Sequence, residues 1–166
     1  MKYYLILLFC FGISCNFLSK KNAVKYNDII VNSQRSISDR FTDISNAFLS
    51  EDSLKMFQSL KALNTTIDSA IAVVSDLSSL DGNTEMRDAA IQLFKFYKKV
   101  GEQQYVEIVN ILLKEETNDE DAERLNVIEK EISLSEKDLD KNFTEAQLNL
   151  SKKYGFKLNL REPTKD

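Results

Sequence analysis

Residues 86–111 read MRDAAIQLFKFYKKVGEQQYVEIVNI, and the spacing of apolar residues in this stretch decides the fold. Met86, Ala90, Leu93, Tyr97, Val100, Gln104, Ile108 and Ile111 follow one another in steps of three and four. With about 3.6 residues per turn, such steps hold side chains on one stripe of a helix. A helix with one apolar stripe needs neighbours to cover it.

Three further segments repeat the pattern. Before it, Tyr26, Ile30, Ser33, Ile37, Phe41, Ile44 and Phe48 form one stripe. Phe57, Leu60, Asn64, Ile67, Ile71, Val74 and Leu77 form a second. After it come Leu125, Ile128, Ile132, Ser135, Leu139, Asn142, Ala146 and Leu150. The expected fold is all-α, a four-helix bundle over residues 25–155 running up-down-up-down, with antiparallel neighbours joined by short connections.

The punctuation falls between the stripes. Ser50-Glu51-Asp52 places a capping residue and acids at a helix start, where free N–H groups and the helix dipole favour them. Asp81-Gly82-Asn83 is a turn signal. Thr117 with Glu120 matches a capping box. Tyr154-Gly155-Phe156 has glycine where a helix ends in the left-handed conformation. Residues 156–166 follow as a C-terminal tail.

The 166 residues suit one domain. Four glycines and one proline are too few for a sandwich or barrel, whose many turns need them. With no histidine, the chain lacks Ser-His and Cys-His pairs, Glu-x-x-His dimetal sites and imidazole zinc ligands. A formal charge of −4 and a pI near 5.1 disfavour nucleic acid as a partner. The aromatic and basic run Phe94-Lys95-Phe96-Tyr97-Lys98-Lys99 spreads around a helix, so it reads as core aromatics beside solvated lysines. The acidic run from Glu115 to Glu123 fails as a calcium loop. Started at Asp119, it would have Arg124 at the glycine position and Lys130 at the glutamate position. No stripe position carries Asp or Glu, so no carboxylate is evidently drawn out of water for acid–base work. The sequence therefore assigns no catalytic residue, no cofactor and no metal ligand.

The N-terminus addresses location. Met1-Lys2 precedes an apolar run, Tyr3 to Ile13, of 11 residues. That is short of the roughly 20 needed to span a bilayer and fits a secretory signal. Gly12-Ile13-Ser14-Cys15 resembles the bacterial lipobox, in which small residues precede a cysteine that is diacylated and becomes the new N-terminus. Gly12 stands where that pattern usually has leucine. The resemblance implies a signal peptide over 1–14, lipid attachment at Cys15 and a lipidated tether over 15–24. An ordinary cleaved signal and an uncleaved anchor are the alternatives. Cleavage would remove Cys10 and Lys2, leaving Cys15 as the one cysteine and a charge of −5. Anchoring would then rest on acyl chains, each contributing about 0.8 kcal/mol per buried methylene.

The stretch Asp81 to Tyr105, with Lys152 to Leu158, resembles uncharacterised lipoproteins of Bacteroidetes and related bacteria. The resemblance implies a helical protein anchored to a membrane of the cell envelope, with no established catalytic residues. The outer membrane is the expected location, on its periplasmic side rather than at the cell surface, because Lys20-Lys21 makes the tether basic rather than acidic. An envelope protein or a glycan is the partner class such a body would meet.

One constellation within the stripes is polar. Ser33, Asn64, Gln104 and Ser135 fall at similar heights in an alternating bundle, with Gly101 beside them. A mid-helix glycine costs about 1 kcal/mol against alanine, so something should compensate it. These five residues are a candidate mid-bundle pocket for a small ligand. A polar layer that sets helix register is the competing reading.

Overall fold

The computed structural model describes residues 11–50 and 52–158, with side chains from Ser19 onward. The expected signal region before Phe11, the Cys15 side chain and the tail beyond Leu158 lie outside the described residues. The chain is all-α. Helix α1 spans Phe11–Leu49, α2 Ser53–Ser75, α3 Glu85–Lys99, α4 Tyr105–Leu112 and α5 Asp119–Tyr154. A π-helical turn, Val100–Gln104, joins α3 to α4, so the chain forms four rods. Among the described residues there is no strand, only an isolated bridge between Leu80 and Asn83. None of the described helices is long and apolar enough to cross a membrane.

Helix ends follow local chemistry. Asp52, not Ser50, caps α2 by accepting the Lys55 N–H at 3.1 Å, while the Ser50 hydroxyl bonds back to the Ala47 carbonyl at the end of α1. Between α2 and α3, Asp81 and Gly82 both have positive φ, 50° and 77°. Leu80 and Asn83 exchange backbone hydrogen bonds across them, at 3.0 and 2.9 Å. Two successive positive φ values define a type I′ turn, which favours the Asp-Gly pair. The capping box of α5 is one residue later than expected. Asn118, not Thr117, is the cap, and Asp121, not Glu120, reaches back to the Asn118 N–H. Gly155 ends α5 with φ 65°, and the Phe156 N–H bonds to the Ser151 carbonyl at 3.1 Å.

The core joins all four rods. The α1 stripe is buried or half-buried at every expected position, with Ile30, Ile37 and Ile44 fully enclosed. Helix α1 also runs through residues 16–24, where the sequence shows no clear period. Ala23 is buried there, so the end of the expected tether belongs to the first rod.

On α2 the stripe is rotated relative to the expectation. Met56, Leu60, Leu63, Ile67, Ala70 and Val74 are buried, while Phe57 is 51% exposed. Helix α5 departs most. Its buried side chains are Asp121 and Ile128 near the start, and Phe143, Ala146, Gln147, Leu150 and Ser151 near the end. Ser135 and Asn142, both expected on the stripe, are exposed. Between Ile128 and Phe143 no α5 residue is fully buried, although Leu139 packs on the core and Ile132 and Glu136 are half-buried.

Candidate functional site

The π turn is the origin of the site. Its closing bond runs from the Tyr105 N–H to the Val100 carbonyl, five residues back instead of four. In an unbroken α-helix Tyr97 and Tyr105, eight residues apart, would differ by about 80° around the axis. One extra residue in the turn reduces that to about 20°, so both rings face the same way. Both then pack on Phe41 of α1, edge to face. Ring centroids are 5.2 Å apart for Phe41–Tyr97 and 5.6 Å for Phe41–Tyr105. Phe48 extends the row, 5.7 Å from Tyr105.

Above this floor α1 and α5 leave a cleft of about 510 Å³. Tyr97, Val100 and Tyr105 form its base. From α1 come Val31, Gln34, Arg35, Ser38, Asp39 and Phe41; from α5 come Ile132, Glu136 and Gln147. Near Gln147 a buried bond spans the two walls, with the Gln147 amide donating to Asn27 Oδ1 at 2.9 Å. The Tyr97 hydroxyl donates to Glu136 Oε1 at 2.7 Å. Arg35 donates to Asn32 Oδ1 at 3.0 Å. Among the described residues, neither Asp39 nor Glu136 has a cationic group within 4.0 Å.

The tyrosines report the field of the cleft. Burial pushes the Tyr97 hydroxyl well above its usual range, and the charges of Glu136 and Asp140 push it further. Tyr105 moves the same way, through burial and then Glu136. An anionic phenolate is disfavoured in a dry, negative setting.

The candidate pocket residues do not assemble as one site. Ser33 is half-buried, and its hydroxyl bonds to the Ile29 carbonyl of its own helix at 3.0 Å. Ser135 is on the surface. Asn64 and Gly101 do meet. A Cβ on Gly101 would lie 2.3 Å from Asn64 Oδ1 and 3.3 Å from its Cγ, so the amide occupies the space a side chain would take. Gln104 is half-buried on the π turn. Asn64 Oδ1 and Gln104 Oε1 are both enclosed without a hydrogen-bond partner.

None of these five lines the cleft, which takes Phe41, Tyr97, Tyr105 and Glu136 instead. Phe41 and Tyr97 were visible as stripe residues. Glu136 was hidden by a one-residue error in the α5 stripe, and it is half-buried and hydrogen-bonded.

Elsewhere the acidic run serves helix ends and ties. Arg124 grips both oxygens of Glu107, at 2.6 and 2.8 Å, and Lys114 pairs with Asp121. Among the described residues no group of three or more carboxylate or thiol side chains is placed to hold a metal ion. Phe94 is fully buried while Lys95 and Lys99 are exposed, and Lys98 pairs with Asp68 at 2.5 Å.

These ionisations give a pH profile. Glu107 and Asp121 are held below the usual carboxylate range by Arg124 and Lys114, Asp88 by the Thr84 hydroxyl and Asp52 by the Lys55 N–H. A lowered folded value contributes stability above the unfolded pKa near 4, and that contribution is lost as pH falls through the folded value. The tyrosines have the opposite sign. Tyr154 is pushed up to about 12, by partial burial and then by its bond to Asp81. Such groups contribute below pH about 10 and lose the contribution as pH rises past it. The melting temperature should be flat between about pH 5 and pH 8 and fall on both sides. Circular-dichroism melts across pH 3–11 check this, and a step between about pH 6 and 7.5 would contradict it.

In comparisons with protein-family models, with characterised proteins and with solved structures, nothing matches the chain. The assignment below therefore rests on the N-terminal sequence and on the cleft.

Proposed function

We propose that this chain is an exported lipoprotein of a bacterial envelope, tied to a membrane through acyl chains on Cys15, and that its helical body is a non-enzymatic binding module. The apolar run and lipobox-like end of the 1–14 segment support the export reading. The periplasmic face of the outer membrane is the proposed location, on the strength of the basic Lys20-Lys21 pair. The single observation that carries the binding reading is the cleft between α1 and α5, with its aromatic base and mixed polar walls. Ligand sites commonly combine an apolar lining with a few polar groups in about 300–1,000 Å³.

The proposed alternation of the rods is supported by side-chain pairs. Glu85 meets Asn149, Tyr97 meets Glu136 and Glu107 meets Arg124, so one rod's numbers rise as the other's fall. Along α1, Val31 and Phe41 lie about 24 and 39 Å from Cys15, at 1.5 Å per residue. An anchored Cys15 would therefore hold the cleft clear of the lipid surface.

Two experiments test the two halves of this reading. Metabolic labelling with a fatty acid should mark the wild type and leave Cys15→Ala unmarked, with that variant lost from the membrane fraction. Equal labelling of both would sink the anchor. Native mass spectrometry of protein from its own host should show a retained small molecule that Ser38→Trp, which fills the cleft, abolishes. An adduct indifferent to that substitution would place binding elsewhere.

A second reading, docking of an envelope protein or glycan, is favoured by exposed apolar residues near the α1–α2 connection. Leu49 is 84% exposed, Leu54 64% and Phe57 51%. Site-specific photocrosslinkers at Leu49 and Leu54 would be expected to give one discrete adduct in whole cells, and their failure to do so would remove this reading.

A further inference from the structure

Building on the reading of the cleft as a ligand site, we infer that its ligand carries a protonated amine on an apolar body, the ammonium facing Glu136 and Asp39 and the body resting on Tyr97 and Tyr105. The charge balance of the cleft points this way. Two carboxylates line it against one guanidinium. That guanidinium has an internal partner in Asn32, whereas neither carboxylate has a cation within 4.0 Å among the described residues. Glu136 also receives just one hydrogen bond there, from Tyr97 to Oε1, which leaves Oε2 an open acceptor.

A ligand entering the cleft displaces water from Glu136, and what it offers in return decides its class. A hydrocarbon offers no donor, so it would strip water from the half-buried Glu136 Oε2 and return nothing, while Asp39, exposed at the rim, keeps its water. An anion would find one cation, Arg35, against the repulsion of two carboxylates. A protonated amine supplies up to three donors and a charge of the right sign. Its apolar body, meanwhile, gains the aromatic base, where a cation near a ring face is itself attracted. Burial, the larger cause of the Tyr97 shift, disfavours any ion there, but the charges of Glu136 and Asp140 that add to it favour an ammonium over an anion.

The test uses the full chain and three probes of similar shape: 2-phenylethylammonium, 2-phenylethanol and 3-phenylpropionate. Binding is followed by NMR shifts of the Tyr97 and Tyr105 rings, with Tyr97→Phe and Tyr105→Phe used for assignment. The ammonium probe should bind about tenfold more tightly than the alcohol, the carboxylate probe more weakly than either, and the preference should shrink at high salt. Glu136→Gln, which can still accept the Tyr97 hydrogen bond and so should fold, should remove most of that preference. Asp39→Asn should remove a smaller part. If the alcohol or the carboxylate binds as tightly as the ammonium, or Glu136→Gln changes nothing, the amine assignment falls while the cleft remains a binding site. If no probe moves the Tyr97 and Tyr105 resonances, both the amine assignment and the cleft reading fall.

Discussion

Replacing Phe94 with alanine should destabilise the protein by about 3–5 kcal/mol, the usual cost of emptying a buried phenylalanine site. At about 2–4 °C per kcal/mol for a domain of this size, the melting temperature should fall by roughly 6–20 °C. The ring is fully enclosed, within a cluster that includes Ile30, Ile37, Leu63 and Leu93. A side chain in that position cannot be removed without leaving a cavity, because closely packed neighbours relax only in part. Phe96, two residues on and half-buried beside Tyr97, serves as the control. Its alanine variant should lose distinctly less. Thermal and urea unfolding of both variants would settle the order. Equal, small losses would contradict the reading of Phe94 as a core aromatic.

Gly101→Ala carries the second large effect, and its sign is the informative part. In an ordinary helix interior this substitution stabilises by about 1 kcal/mol. Here the new methyl would lie 2.3 Å from Asn64 Oδ1, with Leu63 Cδ2 at 3.6 Å behind it. The Asn64 amide must then move out of the notch or the rods must part. Overpacking of this kind costs about 1–3 kcal/mol, enough to reverse the helix gain. Asn64→Ala should relieve the clash, so the double variant Gly101→Ala/Asn64→Ala should be more stable than the sum of its single changes predicts. A coupling of about 0.5–3 kcal/mol is expected for side chains in direct contact. If Gly101→Ala alone stabilises the protein, the Asn64 amide yields the notch freely and the overpacking claim falls.

The Gly101 result bears on the cleft as well. The notch lets α2 pack over the π turn, and the π turn brings Tyr97 and Tyr105 to one face. A variant that restored regular α geometry would rotate one tyrosine away from Phe41. Ring-current shifts of Phe41 would report that rotation directly.

Much of the bundle was legible in the order of residues. Three- and four-residue steps marked four rods, and the α1 stripe from Tyr26 to Phe48 is enclosed as written. Asp-Gly turns the chain at residues 81–82 and Gly155 ends α5, each for a reason contained in a few neighbouring residues, whereas the caps of α2 and α5 fall at Asp52 and Asn118 instead of Ser50 and Thr117. The stripes of α2 and α5 were less certain. Phe57 and Met56 are both apolar, and on α5 serine and asparagine punctuate the pattern, so a one-residue rotation costs little in sequence terms. That rotation exposed Phe57 and Ser135 and hid Glu136.

The number of rods, their breaks and the general apolar pattern thus belong to the sequence alone, because each depends on interactions within about one turn. The absence of histidine belongs there too. The cleft belongs to tertiary structure. A π turn shifts everything after it by a full residue, and nothing in Val100-Gly101-Glu102-Gln103-Gln104 announces that shift. The extra residue is accommodated where Asn64, from another rod, fills the space over Gly101. The opening between α1 and α5 likewise depends on several rods at once, since Ile132 and Glu136 of α5 line it half-buried between the enclosed Ile128 and Phe143, a balance that no single stripe encodes.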